Sequence, residues 1–387
     1  MQKRFLVSGV GFSQGGVGRL MEKLGPEAKS RGYTVLSRRM ISISQLIRQK
    51  KFFQLFYELI LRLASLIVFK FRTLFVKGDV VLILHPQSIG YKTFIRLIKN
   101  NSVYLYVMDS SFFCMMSYNY NEETNSECLR CVGNSRNSMT GCKSWPALVR
   151  KKSAINYLDN LLKYSGEIVF LAQTGLQKNL LKEHFGADID CRVVGMEPGD
   201  LSNSAVVDLD EKAVEPIKYD LVYHGSLHPA KGLFYFLQLS SLLPKLKIFI
   251  PVSKSAATST FGCTAELAHV VFDECTWETG LKDAVQKSKL VINPSLWSAP
   301  VEGAFLKSLA HNGNVAVVES RFGFAQELAK KDLVLTLSND PLEAARVIDD
   351  YLERGVNNRE KAIKWLRGFY ETNKTHNVFD SIEEFSR

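Results

Sequence analysis

Short apolar runs rich in β-branched residues alternate with helical patterns along nearly the whole chain. Such runs predict buried strands, and strands separated by helices predict parallel sheets built from βαβ units. The predicted strands are Arg4–Val10, Val80–Leu84, Ser102–Met108, Ile168–Ala172, Arg192–Val194, Leu221–His224, Lys247–Pro251, Val270–Phe272, Leu290–Ile292, Val315–Val318 and Leu333–Leu335. The predicted helices include Gly18–Arg31, Leu176–Phe185, Leu233–Leu243, Leu281–Ser288 and Leu342–Arg354. The expected fold class is therefore α/β.

The chain is long enough for two domains. It has 387 residues, of which 46% are hydrophobic and 23% are charged. This composition excludes disordered, collagen-like and small disulfide-rich proteins, and at about 150 residues per domain the length predicts two cores. The segment Met196–Pro216 is acidic, contains Gly and Pro, and is typical of a linker. We therefore expect one domain over residues 1–197 and a second over residues 198–387.

The charge and the cysteine content limit the partners and the compartment. A formal net charge of +10 at pH 7 suits nucleic acid, anionic lipid or phosphorylated small molecules as partners. The basic residues are dispersed and no nucleic-acid recognition motif is present, which makes nucleic acid the least favoured of the three.

The apolar run Phe5–Phe12 lacks a cleavage site, so a strand explains it better than a signal peptide. No window of about 18 residues is free of charge, so no transmembrane helix is expected. Seven cysteines without an export signal predict a reducing, cytoplasmic location.

The segment Phe52–Phe75 is unusually apolar for a surface helix. Its large side chains recur at helical spacing, and basic residues flank them. The recurring residues are Phe52, Leu55, Phe56, Leu59, Ile60, Leu63, Leu66 and Ile67, and the basic ones are Lys50, Lys51, Lys70, Arg72 and Lys77. The segment is interpreted either as a helix packed on the N-terminal sheet or as an interfacial helix on anionic lipid. Both hold if one side of the helix contacts the sheet and the other contacts lipid.

Two glycine-rich loops each follow a predicted strand and open a helix. The first contains Ser8-Gly9-Val10-Gly11 and Gln14-Gly15-Gly16-Val17-Gly18-Arg19, and the second runs from Tyr223 to Gly232 through Gly225 and Lys231. Glycines at such places let backbone N–H groups approach an anion, and a lysine beside a helix start suits a pyrophosphate. The first loop does not fit the dinucleotide fingerprint GxGxxG, since Gln14 replaces the third glycine. A tight turn, with a solvated lysine in the second loop, is the alternative for each.

A third segment places a carboxylate at the mouth of a helix. Asn293-Pro294-Ser295-Leu296-Trp297 ends a strand, and Pro300–Ala310 then opens a helix that finishes at Gly313. Glu302 and Gly303 at this helix start are placed to bind hydroxyls of a sugar or a ribose.

The order of these segments resembles the retaining family 4 glycosyltransferases (glycosyltransferase group 1) with the GT-B fold. The matching pieces are Gly15-Gly16-Val17-Gly18-Arg19, Gly225 to Gly232, Pro294-Ser295, Glu302-Gly303, Gly313 and Gly323 to Glu327, and they span nearly the whole chain. The resemblance implies two facing Rossmann-like domains with a central cleft. It implies an acceptor on the N-terminal domain, a nucleotide-diphosphate sugar on the C-terminal domain, and a last helix that packs back on the N-terminal domain.

The same resemblance implies a set of donor-binding residues. Gly16 takes the place that faces the donor phosphates, Lys231 the place that contacts the pyrophosphate, and Trp277 lies where the family contacts the base. Stacking on a base and packing in the core are both open for Trp277. The predicted donor-binding residues are Gly15, Gly16, Gly225, Ser226, Lys231, Trp277, Gly303 and Ser308.

The sequence departs from the family in its glutamate pair. The family has an Arg after the glycine of the second loop, where this chain has Ser226. It also has two glutamates eight residues apart, and counting back from Gly313 these positions hold Pro300 and Ser308. Glu302, shifted by two, is the candidate for the donor-sugar contact.

Two polar residues of the N-terminal half follow strands at the edge where α/β sheets bind ligands. His85 is predicted to orient a donor-sugar hydroxyl, and Asp109 to hold or deprotonate an acceptor hydroxyl. A cap or a turn is the alternative role for each. The predicted catalytic residues are therefore Glu302, His85 and Asp109.

Four cysteines lie in a loop-like insertion over about residues 110–146. They are Cys114, Cys128, Cys131 and Cys142, and one CxxC pair with two further thiols suits a structural tetrahedral zinc site. Buried free thiols are the alternative. No cofactor is expected for catalysis, because the resemblance implies that loops, dipoles and basic side chains manage the phosphate charge.

The expected activity is retaining transfer of a sugar from a nucleotide-diphosphate sugar to a hydroxyl, of the hexosyltransferase type. The expected acceptor is a glycan or lipid-linked glycan in surface polysaccharide or glycolipid biosynthesis, with the enzyme cytoplasmic and peripheral on the inner face of the plasma membrane. A non-catalytic nucleotide-sugar-binding protein and a nucleotide-sugar epimerase of the same fold are the alternatives.

Overall fold

The computed structural model describes residues 2–12, 16–39, 51–145, 149–196, 216–262, 267–329, 331–374 and 376–384. The chain divides into two compact units. The first holds Met1–Ser117, Arg130–Gly199 and Asn373–Arg387, and the second holds Tyr118–Leu129 and Asp200–Thr372. The expected linker Met196–Pro216 lies almost wholly outside the described residues. Residues 118–129, which the sequence-based division placed in the first domain, belong to the second unit.

Strands and helices alternate in both units. The strands are β1 (Arg4–Ser8), β2 (Thr34–Ser37), β3 (Val80–Leu84), β4 (Ser102–Tyr106), β5 (Tyr120–Asn121), β6 (Ser126–Glu127), β7 (Ile168–Ala172), β8 (Cys191–Val193), β9 (Tyr219–Tyr223), β10 (Ile248–Ile250), β11 (Val270–Phe272), β12 (Ser288–Asn293), β13 (Val315–Val318) and β14 (Leu335–Leu337). The helices are α1 (Gly16–Ser30), α2 (Phe52–Leu74), α3 (Pro86–Ile89), α4 (Tyr91–Asn100), α5 (Lys151–Lys163), α6 (Gly175–Phe185), α7 (Leu233–Ser241), α8 (Lys254–Phe261), α9 (Lys282–Gln286), α10 (Gly303–His311), α11 (Phe324–Ala329), α12 (Pro341–Glu353), α13 (Arg359–Thr372) and α14 (His376–Glu383). A short 3₁₀ turn, Pro229–Lys231, precedes α7, and a π turn, Trp277–Leu281, precedes α9.

The first unit contains a six-stranded sheet with the order β2-β1-β3-β4-β7-β8. Every pairing in it is parallel. The strand β3 consists of five buried residues, Val80–Leu84, because helices cover both faces of a parallel sheet. The last helix, α14, belongs to this unit, where Val378, Phe379 and Ile382 join its core.

The second unit contains a six-stranded parallel sheet with the order β11-β10-β9-β12-β13-β14. Counted within the unit, this is the Rossmann order 3-2-1-4-5-6. Its core is built from the buried faces of these strands and of α7 and α12. The small antiparallel pair β5–β6 belongs to this unit as well.

The strand orders locate where each sheet can bind a ligand. In an open α/β sheet, a crevice forms beyond the carboxyl ends of the two strands at which the chain reverses its direction of winding. In the first sheet these strands are β1 and β3, and in the second sheet they are β9 and β12. The loops after β9 and β12 are the second and third segments singled out in the sequence.

The predicted alternation of strands and helices is confirmed. Val80–Leu84, Ile168–Ala172, Val270–Phe272 and Val315–Val318 have the predicted bounds, and the other predicted strands differ from the structure by one or two residues at an end. The strand β2 at the sheet edge was not predicted, because Thr34 and Ser37 interrupt its apolar run. The pair β5–β6 was not predicted either, since two-residue strands leave no periodic pattern.

None of the described helices is long and apolar enough to cross a membrane.

Candidate functional site

The two loops at the reversal point of the second sheet bring a lysine and a carboxylate together. Lys231 ends the 3₁₀ turn after β9, and Glu302 is the N-cap residue of α10. Their side chains are mostly buried, and Lys231 Nζ lies 2.5 Å from Glu302 Oε1. The strands β9 and β12 are parallel neighbours, so the loops that follow them meet at one edge of the sheet.

Glu302 is fixed by two further donors from the loop after β12. Ser295 Oγ donates to Glu302 Oε1 at 2.8 Å, and Trp297 Nε1 donates to the same oxygen at 3.2 Å. Within the described residues, the second oxygen, Oε2, accepts no hydrogen bond. One carboxylate oxygen is therefore anchored to the protein, while the other is available to accept a hydrogen bond from a hydroxyl group.

Aromatic rings surround the Lys231 ammonium. Nζ lies 5.0 Å from the centroid of Trp297 and 5.4 Å from that of Tyr118. The two rings meet edge to face, with centroids 4.6 Å apart, and the His228 ring lies 4.6 Å from Tyr118. Cation–π attraction and the exclusion of water hold the ammonium in one position.

The loop after β9 is held by the buried hydroxyl of Tyr223. This oxygen lies 2.9 Å from the carbonyl of Ser226 and 3.1 Å from that of Lys231. Burial, with Glu302 nearby, raises the pKa of Tyr223, so the hydroxyl stays protonated and can donate. A Cβ at Gly225 would lie 2.5 Å from the same hydroxyl. The predicted glycine Gly225 is thus required by packing, while Ser226 is exposed at the loop surface.

Gly232 joins the two loops. Its backbone is left-handed, with a φ of +73°, and a Cβ there would overlap the carbonyl group of Pro294. Only glycine adopts this conformation at no steric cost. The loop after β9 can therefore lie directly against the loop after β12.

Hydrogen bonds of Glu127 attach the segment Tyr118–Leu129 to the region around Lys231 and Glu302. The Glu127 carboxylate accepts hydrogen bonds from Ser298 Oγ at 2.5 Å, from the Arg321 amide at 2.8 Å and from the Phe322 amide at 3.1 Å. Asn119 adds two bonds to Ser298, from its Nδ2 to Oγ at 2.7 Å and from the Ser298 amide to its Oδ1 at 3.1 Å. These bonds hold Tyr118 beside Lys231.

Ser308 and Trp277 meet at a buried histidine. The Ser308 hydroxyl is fully buried, donates to the carbonyl of Ala304, and lies 2.7 Å from His224 Nδ1. The His224 ring stacks on Trp277, with centroids 5.3 Å apart and planes at 12°. Burial, with Lys307 and His311 nearby, lowers the pKa of His224 to about 3, so this ring is neutral at pH 7.

Trp277 itself is half-buried and surrounded on several sides. His311 meets its ring edge to face at 5.1 Å, and Lys307 Nζ lies 5.1 Å from the ring centroid. Ser308 and Trp277 thus each contact His224, and their roles toward a ribose and a base stay predictions. Gly303 begins α10, and a Cβ there would meet no atom within 4 Å.

In the first unit, His85 and Asp109 line one small cavity of about 10 Å³ beyond the ends of β3 and β4. His85 is buried, and its backbone is left-handed, with a φ of +53°. Burial lowers the pKa of His85, and Asp109 acts in the opposite direction. His85 Nδ1 has no hydrogen-bond partner among the described residues. Asp109 Oδ1 accepts from the Ser111 amide at 2.9 Å, which is the turn role weighed in the sequence analysis.

The first glycine-rich loop is described in part. Gly15 lies outside the described residues, and Gly16 is the exposed first residue of α1, with no atom within 4 Å of a Cβ. Gly9, earlier in the same loop, packs so closely on Ser88 that a Cβ would overlap its carbonyl. The loop after β1 and the helix α3 therefore touch at the reversal point of the first sheet.

The four cysteines of the insertion form no disulfide bond within the described residues and are partly exposed. Cys114, Cys131 and Cys142 belong to the first unit and Cys128 to the second. Among the described residues, no three His, Cys, Asp or Glu side chains are grouped as a metal ion requires. The zinc site stays a sequence-based prediction, and we derive no step from it.

A cavity larger than the other two described here lies elsewhere in the second unit. It measures about 700 Å³ and is lined by Ile217, Ser288 and Asn314 at the amino ends of β9, β12 and β13. Parallel sheets bind ligands at their carboxyl ends, so we place the site at Lys231 and Glu302 instead.

Three contributors to this site escaped the sequence analysis. Ser295 was singled out only within the Pro294-Ser295 piece after a strand, Trp297 only as part of that strand end, and Tyr118 only as part of the cysteine-containing insertion. Their roles depend on contacts with Glu302 and Lys231 that a local sequence pattern does not predict. For Ser295 and Trp297, the available indications were the strand end and, for Ser295, the family resemblance.

Solved structures resemble this chain over its full length. Sucrose-phosphate synthase from Thermosynechococcus elongatus is 12% identical, with a TM-score of 0.58 and coverage of 100% of this chain and 98% of that one. An α,α-trehalose-phosphate synthase (UDP-forming) from Burkholderia vietnamiensis is 12% identical, with a TM-score of 0.57 and coverage of 99% of both chains. Anabaena HepE in complex with UDP and glucose is 10% identical, with a TM-score of 0.55 and coverage of 99% of both chains.

No protein-family model matches the sequence, and no curated protein matches it at a significant level. The similar structures are GT-B glycosyltransferases. Together with the two parallel sheets, this likeness shows that the chain has the two-domain, Rossmann-like GT-B fold.

Proposed function

We propose that this protein is a glycosyltransferase that moves a sugar from a nucleotide-diphosphate sugar to a hydroxyl of an acceptor, with the anomeric configuration retained. The supporting observation is the Lys231–Glu302 pair at the reversal point of the second sheet. HepE, a similar structure, holds UDP and glucose, which suits the same class of donor here.

In this proposal, the donor pyrophosphate replaces Glu302 as the partner of the Lys231 ammonium. The ammonium is already desolvated and positioned, so it meets the charge that develops on the leaving phosphate with little reorganisation. Gly16 at the start of α1 is proposed to face the same phosphates through its amide. Glu302 is anchored through Oε1, and its Oε2 accepts a hydrogen bond from a hydroxyl of the donor sugar.

The proposed bond changes are those of a transfer with retention. The bond between the anomeric carbon and the phosphate oxygen breaks, and a bond to the acceptor oxygen forms on the same face of the sugar. The acceptor proton passes to Asp109, and His85 orients a sugar hydroxyl. The proposed acceptor is a glycan or lipid-linked glycan of surface polysaccharide or glycolipid biosynthesis, presented at the inner face of the plasma membrane.

A transfer assay tests the proposal. The protein is incubated with a panel of nucleotide-diphosphate sugars and glycan or glycolipid acceptors, and products are identified by mass spectrometry and the new linkage by NMR. A glycosylated acceptor with the donor's anomeric configuration supports the proposal. An altered nucleotide sugar formed without acceptor would instead identify an epimerase.

A second candidate is a nucleotide-sugar-binding protein without turnover. It is favoured by Ser308, which occupies the place of the family's second glutamate and is fully buried against His224. Binding of nucleotide-diphosphate sugars without transfer to any acceptor would identify this function.

A further inference from the structure

The helix α2 turns its most apolar side chains to the solvent. Phe53 is 96% exposed, Phe56 66% and Ile67 61%. We define the apolar face of α2 as its exposed large side chains Phe53, Phe56, Tyr57, Leu59, Ile60, Leu63, Ile67, Val68, Phe71 and Leu74. A patch of this extent on a protein surface marks an interaction site.

The side of α2 that meets the first unit is more polar than the exposed one. Ser65 Oγ accepts from the Arg39 amide at 2.9 Å, and Glu58 pairs with the Arg39 guanidinium at 2.9 Å. Thr73 is fully buried, and Phe69 is the buried apolar anchor on this side. Packing on the first unit therefore does not explain why the apolar face is apolar. Its side chains are exposed and can contact a membrane or another molecule.

The charges around the apolar face are basic. Lys51, Lys70, Arg72 and Lys77 are all exposed at the two ends of the helix. Within α2 itself, Glu58 is the single acidic residue against three basic ones. An apolar stripe with basic flanks is typical of a helix that lies in the interface of an anionic bilayer.

A groove beside α2 provides a place for one anionic group. It measures about 280 Å³ and is lined by Arg38, Arg39, Arg62, Leu59, Leu63 and Leu66. Three arginines line the groove, and among the described residues Glu58 pairs with one of them, Arg39, so the groove keeps an excess of positive charge. Burial and the neighbouring Arg62 lower the pKa of Arg38, because both disfavour its charged form.

Leu59 and Leu63 belong to both the groove and the apolar face. A ligand that fills both must carry an anionic group next to an apolar chain. A phospholipid has this arrangement, since its phosphate adjoins its acyl chains. Arginine suits the phosphate because its planar fork of donors matches the oxygens.

We propose that α2 docks on an anionic bilayer, with its apolar face in the acyl boundary and a lipid phosphate bound between Arg38, Arg39 and Arg62. This inference deepens the proposed function and rests on it for its purpose, which is to hold the enzyme where a lipid-linked acceptor is presented. The docking itself requires no donor, so it can fail while donor binding persists.

Vesicle flotation of the full chain tests the docking. We expect the protein to float with phosphatidylcholine vesicles that contain phosphatidylglycerol and to bind pure phosphatidylcholine vesicles at least tenfold more weakly. The triple variant Phe56→Ser, Ile60→Ser, Ile67→Ser should lose flotation while its circular dichroism is unchanged, because these side chains are exposed. The matched control Leu342→Ser, Val347→Ser removes exposed apolar side chains from α12 and should float as the wild type does.

A separate variant tests whether the arginine groove binds a lipid phosphate. Arg62→Gln should weaken binding to phosphatidylglycerol vesicles about tenfold, whereas Lys245→Gln, which removes an exposed charge from the second unit, should change it little. Equal weakening by both variants would contradict a phosphate site in the groove. Arg62-dependent binding of inorganic phosphate without vesicle binding would overturn the bilayer proposal.

A stable dimer in sedimentation that the triple variant converts to monomer would also overturn it, because the apolar face would then be covered by a second copy. Nucleotide-diphosphate-sugar binding is measured on the same samples. Donor binding without flotation rejects the docking alone, and flotation without donor binding rejects the proposed function alone.

Discussion

Lys231 Nζ and Glu302 Oε1 lie 2.5 Å apart where the second sheet reverses its strand order. The exposed fractions of the two side chains are 17% and 15%, so water screens this pair little. A nucleotide diphosphate that reaches Lys231 must compete with Glu302 for the ammonium. If Lys231 binds the donor as proposed, the pair both positions the cation for a pyrophosphate and lowers the apparent affinity for it.

Replacing Glu302 by Gln tests this competition. The variant leaves a mostly buried ammonium without its counter-charge, and we expect a loss of stability of about 3 kcal/mol. A pyrophosphate then restores the missing charge, so a nucleotide-diphosphate sugar should raise the melting temperature of Glu302→Gln more than that of the wild type. Transfer should fall in the same variant because the anchored carboxylate no longer holds a sugar hydroxyl. Equal ligand-induced shifts in both proteins would argue against competition at Lys231.

Tyr118 is expected to act through its ring. Tyr118→Leu removes one of the two rings beside the ammonium, which then gains freedom that it must lose on binding a phosphate. We expect donor affinity to fall roughly fivefold, measured by calorimetry. Tyr118→Phe keeps the ring and should bind the donor as the wild type does. A loss in the Phe variant equal to that in the Leu variant would assign the effect to the hydroxyl instead.

Glu127 is expected to hold the segment Tyr118–Leu129 on the second unit. Glu127→Ala leaves the Arg321 and Phe322 amides and the Ser298 hydroxyl without their acceptor, at a cost of about 2 kcal/mol in the free energy of unfolding. Donor affinity should fall as well, since Tyr118 is no longer held beside Lys231. Glu123→Ala is the matched control because Glu123 is exposed on the same hairpin. If both variants lose equal stability, the carboxylate bonds of Glu127 are not what fastens the segment.

His184 makes the stability of the first unit depend on pH. Its Nδ1 accepts from the Gly133 amide at 2.9 Å, its Nε2 has no partner within the described part of the chain, and burial lowers the pKa of His184 to about 4. As the pH falls below about 6.5, His184 binds a proton in the unfolded chain, whereas in the folded chain it stays neutral until about pH 4. Stability should therefore be complete above pH 6.5 and fall by up to about 1.4 kcal/mol per pH unit between these values.

Urea unfolding of His184→Gln at pH 7 and pH 5 checks this expectation. The variant should be less stable at both values, since it loses the ring's contacts with Phe113 and Phe185. Its loss of stability between pH 7 and pH 5 should be smaller than that of the wild type. His224, whose pKa is also lowered by burial, keeps part of the dependence in both proteins. An identical pH dependence would exclude His184 as its source.

Most strands could be predicted because they contain apolar runs that burial in a sheet explains, and Val80–Leu84 is wholly apolar. Lys231 and Glu302 could be singled out because each follows a strand end. That the two would pair could not be predicted, since they lie 71 residues apart and local patterns do not encode which distant side chain reaches a lysine. The transfer of Tyr118–Leu129 to the second unit depends on similarly distant contacts, such as that between Glu127 and Ser298. The apolar face of α2 was visible in the sequence, but which of its sides the sheet would cover was not.

Binding of nucleotide-diphosphate sugars to the wild type and to Lys231→Ala, measured by calorimetry across a donor panel, tests the central claim most directly. The account predicts that at least one donor binds the wild type, that Lys231→Ala binds it about 100-fold more weakly through loss of a charge-assisted contact, and that the exposed-lysine control Lys245→Ala binds it normally. Unchanged affinity in Lys231→Ala, or no binding of any donor to the wild type, would contradict it.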